Sequence, residues 1–133
     1  EGIVVYDKNL ELQVLAKIEQ LFPEFTKDIQ KIRIKMIDLS EPVQNFYYYH
    51  PKFKGNFSLK AIAEVLSENS GYDNMEVQSG IVAMHKYESL LKEDNPFTKE
   101  EIKQQLIDYC NQDTITCLKF YEYLKERIKA QEL

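Results

Sequence analysis

A mostly helical α/β chain with one or two short strands is what this sequence predicts, on three observations. Its 133 residues contain only four Gly and four Pro, so there are few breakers among many good helix formers. A continuous β-branched run, Ile3-Val4-Val5-Tyr6, suits a buried parallel strand and leads straight into helical periodicity. From Thr98 to the end there is neither Gly nor Pro, which predicts one long closing helix.

The elements follow in order. After the Ile3–Tyr6 strand, Asp7 and Asn9 supply helix-start chemistry. Leu10, Val14, Ile18, Leu21 and Phe22 then recur at helical spacing until Pro23, and this stripe is expected to face the core. Glu24 to Met36 reads as a shorter helix, and Met36 to Leu39 as a second short strand ended by Ser40-Glu41-Pro42. The most aromatic stretch, Phe46-Tyr47-Tyr48-Tyr49-His50-Pro51, precedes a loop containing Gly55 and Asn56. Ser58 is placed to cap a helix with the stripe Leu59, Ile62, Ala63 and Leu66. Glu68 to Asn74 is a turn-rich link. The following helix carries Val77, Ile81, Met84, Tyr87 and Leu91 on one face, with Gly80 where a neighbour can approach closely. Asn95-Pro96 ends it, and Thr98 with Glu101 reads as a capping box. The stripe of the closing helix is Ile102, Leu106, Tyr109, Cys110, Asp113, Cys117, Phe120, Leu124 and Ile128.

Composition bounds the function. The length fits one domain with a single core, and the 44% hydrophobic content is that of a globular protein. A net charge of −5 argues against a DNA-coating role, because non-specific binding draws on phosphate neutralisation by basic residues. It is compatible with a nuclease, whose metal site is built from carboxylates. Cys110 and Cys117, about 10 Å apart along one helix, are too distant for a disulfide and read as reduced, buried thiols of a cytoplasmic protein. No stretch approaches a membrane span. His50, His85 and the two cysteines lack the spacing of a zinc site.

Asp113 is the position with most chemical content. It falls on the apolar stripe one turn after Tyr109, and an ionised carboxylate there is costly unless paired, hydrogen-bonded or bound to metal. The bland reading is a core Asp satisfied by a salt bridge or a helix kink. The sharper one uses the Tyr109-x-x-x-Asp113 spacing, which puts phenol and carboxylate on one helix face. The aromatic run from Phe46 reads as packing on the core with wet hydroxyls. Its alternative is a stacking platform for unpaired bases beside His50 and Lys52.

Two segments carry a resemblance. Ile3 to Glu11 resembles the second exonuclease motif of DnaQ-like enzymes, a buried strand, a polar turn and an acid early in a helix. Tyr109-Cys110-Asn111-Gln112-Asp113-Thr114 resembles their third motif. The whole chain is also similar to the C-terminal half of a bacterial domain-of-unknown-function family usually placed in that superfamily, through Tyr48-Tyr49-His50-Pro51, Gly55 with Ser58-Leu59-Lys60, Gly80 with Ala83, and Tyr109-Cys110 with Asp113-Thr114.

The resemblance implies a truncated RNase H-like fold, with residues 1–133 forming a single partial domain whose first strands are missing. It implies two-metal hydrolysis of phosphodiesters from the 3′ end of single-stranded nucleic acid, with Mg²⁺ or Mn²⁺ held by acidic residues. Glu11 and Asp113 match the metal-binding acids, Tyr109 the water-orienting phenol, and Tyr49, His50 and Lys60 are expected at the nucleic acid. The first-motif Asp-x-Glu is absent, Glu11 stands where Asp is commoner, and Asp38 is only a distant candidate for a fourth acid. The chain alone is therefore expected to be inactive, and a catalytically dead scaffold or interaction module is the alternative. An unpaired edge at Ile3–Tyr6 predicts homodimerisation through the N-terminal strand.

Overall fold

The structure, a computed structural model, describes residues 1–131. They form two compact units, Glu1–His50 and Pro51 onward.

In the first unit the apolar run Ile3–Val5 is strand β1, and helix α1 spans Lys8–Leu21. Pro23 opens a single 3-10 turn, α2 covers Thr26–Lys35, and β2 covers Met36–Asp38. The two strands pair in parallel with Ile3 opposite Met36 and Val5 opposite Asp38, so α1 and α2 together make the crossover that parallel pairing requires. A short helix, α3 at Glu41–Gln44, follows. The ion pair of Arg33 with Glu19, at 2.7 Å, ties α2 to α1.

Asp38 joins strand to helix. Its carboxylate accepts the backbone N–H of Lys8 at 2.9 Å and of Asp7 at 3.2 Å, the first donors of α1, besides the N–H and hydroxyl of Ser40 at 2.8 and 2.7 Å. Partial burial opposes ionisation, but these four donors outweigh it and hold the carboxyl below the usual range. Asp7 itself turns through a left-handed conformation, φ 64°, and its side chain caps Leu10 N–H.

In the second unit Pro51–Phe53 forms a 3-10 turn, Ser58 caps α4 at Leu59–Leu66, and α5 runs Gly80–Lys92 from a Ser79 cap. The last helix, α6, extends over Pro96–Gln131 and packs on both α4 and α5. It starts earlier than the Thr98 box suggests. Asn95 Oδ1 accepts Phe97 N–H at 2.9 Å and Thr98 N–H at 3.4 Å, and Pro96 takes the first helical position, where a missing N–H costs nothing. The buried residues here include Phe53, Ala61, Ile62, Ala63, Tyr72, Val77, Ile102, Thr116 and Phe120.

Two predicted stripes point the other way. Leu10, Val14, Leu21 and Phe22 of α1 are exposed, as are Ile81, Met84, Tyr87 and Leu91 of α5. Each helix has apolar residues on a second side as well, Leu12, Leu15 and Ala16 on α1, Ala83 and Leu90 on α5, and that side is the half-buried one. Val77 is buried but precedes α5. Cys110 and Ile128 of the α6 stripe are also exposed. The aromatic run departs from core packing too, since Phe46, Tyr47 and Tyr49 are exposed.

Candidate functional site

Among the described residues of the second unit, Asp113 is a carboxylate drawn towards the interior. Asp113 lies midway along α6 on the side that carries Ile102, Tyr109, Thr116 and Phe120, and it is half-buried. Tyr109, one turn earlier, brings its phenol near enough to act electrostatically on the same carboxylate, as the i, i+4 geometry allows. The Tyr109 hydroxyl also lies beside Gly80, 3.9 Å from where a Cβ would stand, so the first turn of α5 borders the site.

A second phenol comes from the loop between α4 and α5. Tyr72 is 1% exposed, and its hydroxyl donates to Asp113 Oδ1 at 2.7 Å. That hydroxyl is also 3.2 Å from Thr116 Oγ1. Gln112 Nε2 donates to Thr116 Oγ1 and to the carbonyl of Ser70, both at 3.2 Å. Gly71, with φ +85°, makes the turn that delivers Tyr72, and a Cβ there would stand 2.5 Å from Gln112 Nε2. Ser70 Oγ accepts the Tyr72 N–H at 3.2 Å and donates to Asp73 at 3.0 Å. The loop is thus fastened to α6 through the Ser70 carbonyl and the Tyr72 hydroxyl.

Electrostatics follow from this packing. Burial raises the Asp113 carboxyl above its usual range, and the bonds from Tyr72 and Tyr109 offset only part of the effect. Tyr109 is pushed up to about 12, first by burial and then by the Asp113 charge. Tyr72 is raised further, again mainly by burial, with Thr116 opposing and Asp113 adding. Both phenols therefore stay protonated at neutral pH, and Tyr72 donates to a carboxylate that has no ion-pair partner among the described residues.

The remaining sequence candidates are distributed over the two units. Glu11 lies in the first turn of α1 and is half-buried. Tyr49 and His50 close the first unit, Tyr49 with its ring 6.3 Å from that of Phe46. Lys60, on α4 in the second unit, donates to Gln78 Oε1 at 3.0 Å. Cys110 is exposed and Cys117 half-buried, rather than both being buried, and neither is in a disulfide. Asp38 is occupied by its four donors. Within neither unit, among the described residues, do three or more His, Cys, Asp or Glu gather as a metal site. Asp113 is a hard oxygen donor of the kind Mg²⁺ or Mn²⁺ takes, but among the described residues no group of three such side chains forms around it.

Tyr72 is absent from the sequence reading. Its signal was an isolated large aromatic between Gly71 and Asp73 in an otherwise polar link, where solvent exposure would leave the ring without packing.

Compared with known proteins, residues 1–58 match the family described as a domain of unknown function (DUF2779). The match ends before Asp113. No curated protein and no solved structure matches the chain. No helix among the described residues is long and apolar enough to cross a membrane.

Proposed function

We propose that this chain is part of a metal-dependent 3′–5′ exonuclease of the DnaQ-like type, with an RNase H-like domain acting on single-stranded nucleic acid. Asp113 is a metal-holding carboxylate of the second unit with Tyr109 as its water-orienting phenol, and Glu11 is an acidic candidate of the first unit. The observation that carries the reading is Asp113, a half-buried carboxylate bonded by the Tyr72 hydroxyl, beside the Tyr109 phenol, and without an ion-pair partner among the described residues. The hydrogen bond from Tyr72 offsets only part of the cost of burying this charge, and a divalent ion would offset more of it. When bound, Mg²⁺ or Mn²⁺ stabilises the attacking and leaving oxygens of the phosphodiester. Tyr109 keeps its proton near neutrality and so can hold a water by its hydroxyl. The exposed Tyr47 and Tyr49 offer faces on which unpaired bases stack.

The test uses the full-length protein that carries this segment, incubated with Mn²⁺ and 5′-labelled single-stranded DNA. Shortening from the 3′ end is expected, together with its loss in Asp113→Ala. An inert full-length protein, or an Asp113→Ala variant as active as the parent, refutes the reading.

The outward stripes of α1 and α5 favour a second reading, a helical interaction module without catalysis. Exposed apolar faces of this kind mark association surfaces, and the N-terminal strand would add an edge for homodimer formation. Light scattering separates the cases, since a monomer at high concentration removes the dimer.

A further inference from the structure

We propose that the outward face of α6 is the interface of a homodimer, in which two copies of the helix pack antiparallel along one seam. The inference is independent of the exonuclease reading. It uses neither the exposed stripes of α1 and α5 nor the edge of β1.

Spacing and exposure together define the seam. Steps of three and four residues, taken in turn from Phe97, lead through Ile107 and Leu118 to Ile128, which is the repeat of a coiled-coil face. The opposite side of the helix carries Ile102, Thr116 and Phe120, all buried. Along the seam every residue is exposed except Tyr121, which is half-buried. Phe97 is 86% exposed, and Ile107, Leu118 and Ile128 are also open to solvent. The strip runs for about 46 Å, and a left-handed wrap would keep it facing a partner throughout.

The order of residues selects a second copy as that partner. In an antiparallel pair with two-fold symmetry, each position shares a layer with its mirror on the other copy. With the axis between Gln112 and Asp113, Ile107 meets the partner's Leu118 and Phe97 meets the partner's Ile128. Glu100 meets the partner's Lys125, an opposite charge, and Gln104 meets the partner's Tyr121. At the centre Asn111 meets the partner's Thr114, and a polar layer of this kind fixes register. Sliding one copy by a heptad would set Ile107 against the partner's Asn111 or the partner's Lys125. Parallel pairing would set Glu100 against the partner's Glu100. Of these alignments only the first matches apolar, charged and polar layers together. Contacts within α6, Lys103 to Glu100 at 3.5 Å and Lys125 over the Tyr121 ring at 5.8 Å, hold the two charges on this side.

The experiment is sedimentation equilibrium of the full-length protein, with folding of each variant checked by far-UV circular dichroism. A dimer is expected. Leu118→Asp puts a carboxylate into two layers of each dimer and should raise the Kd at least about 100-fold. Ile107→Asp alters the same layers from the other side, and decides the matter should Leu118→Asp fail to fold. Charge exchange reads the orientation. Glu100→Lys and Lys125→Glu each set like charges together and should weaken the dimer about fivefold. The double variant should restore it, although the contact with Lys103 stays lost. A monomer at high concentration overturns the proposal, as does a dimer that the Asp variants leave intact. Single exchanges without effect, or a double variant as weak as either single one, overturn it too, because the antiparallel register is then wrong.

Discussion

Replacing Gly71 by Ala tests the loop that carries Tyr72, and its cost can be worked from the structure. The backbone term comes first. With φ +85°, an L-residue pays about 1–2 kcal/mol for the left-handed conformation. The new Cβ would then lie 2.5–2.8 Å from the amide end of Gln112. That end is flexible, so the steric clash is relieved by moving it, at the expense of the bonds to Ser70 O and Thr116 Oγ1. Each such bond contributes about 1 kcal/mol net. The sum is about 3–4 kcal/mol, a large share of the roughly 4–12 kcal/mol expected for a unit of this size. Urea unfolding followed by circular dichroism should show the midpoint fall by about 2 M at an ordinary slope. In a Gln112→Ala background the penalty should shrink to the backbone term, because there is no longer an amide to displace. A cost below about 1 kcal/mol in the parent, under the backbone term alone, refutes the reasoning.

Two further outcomes can be measured in the same way. Phe120→Ala, at a fully buried position, should cost about 3–5 kcal/mol. Leu91→Ala, on the exposed stripe of α5, should stay within about 0.5 kcal/mol, and a core-sized loss there would restore the inward assignment. Acid should act oppositely on the two units. The folded Asp38 carboxyl titrates below its unfolded value, so its contribution is present above that value and is lost as pH falls through the folded one. Asp113 titrates above its unfolded value, so protonation favours its fold, and its contribution is lost as pH rises through the folded value. Amide exchange between about pH 5 and 3 should therefore deprotect the first turn of α1 while α6 near Asp113 gains protection relative to an Asp113→Asn variant. Equal behaviour of the two segments contradicts these assignments.

Element positions were legible because local chemistry dictates them. Pro23 stops α1, Ser58 caps α4, and the β-branched Ile3–Val5 run is a strand. The placement of Asp113 beside Tyr109 was legible for the same reason, since helix geometry alone fixes an i, i+4 pair. Facing was not. On α1 and α5 two apolar sides compete, and the winner depends on which neighbours exist, a tertiary fact that periodicity does not encode. Thus Leu15 and Leu90 are partly covered while Val14 and Leu91 are open to solvent. Tyr72 was hidden for a related reason. Its partner lies 41 positions away, and nothing in a Ser-Gly-Tyr-Asp link announces that the ring turns inward.

The hold of Asp38 on the start of α1 has a consequence for how the first unit assembles. Side chains alternate along a strand, so a slip of β2 by one residue would put Ile37 or Leu39 opposite Val5 and turn the carboxylate away. The Asp7 and Lys8 amides would then lose their acceptor. The acid works as a key that admits a single alignment of the two strands, and winding of the helix and seating of the strand become one event.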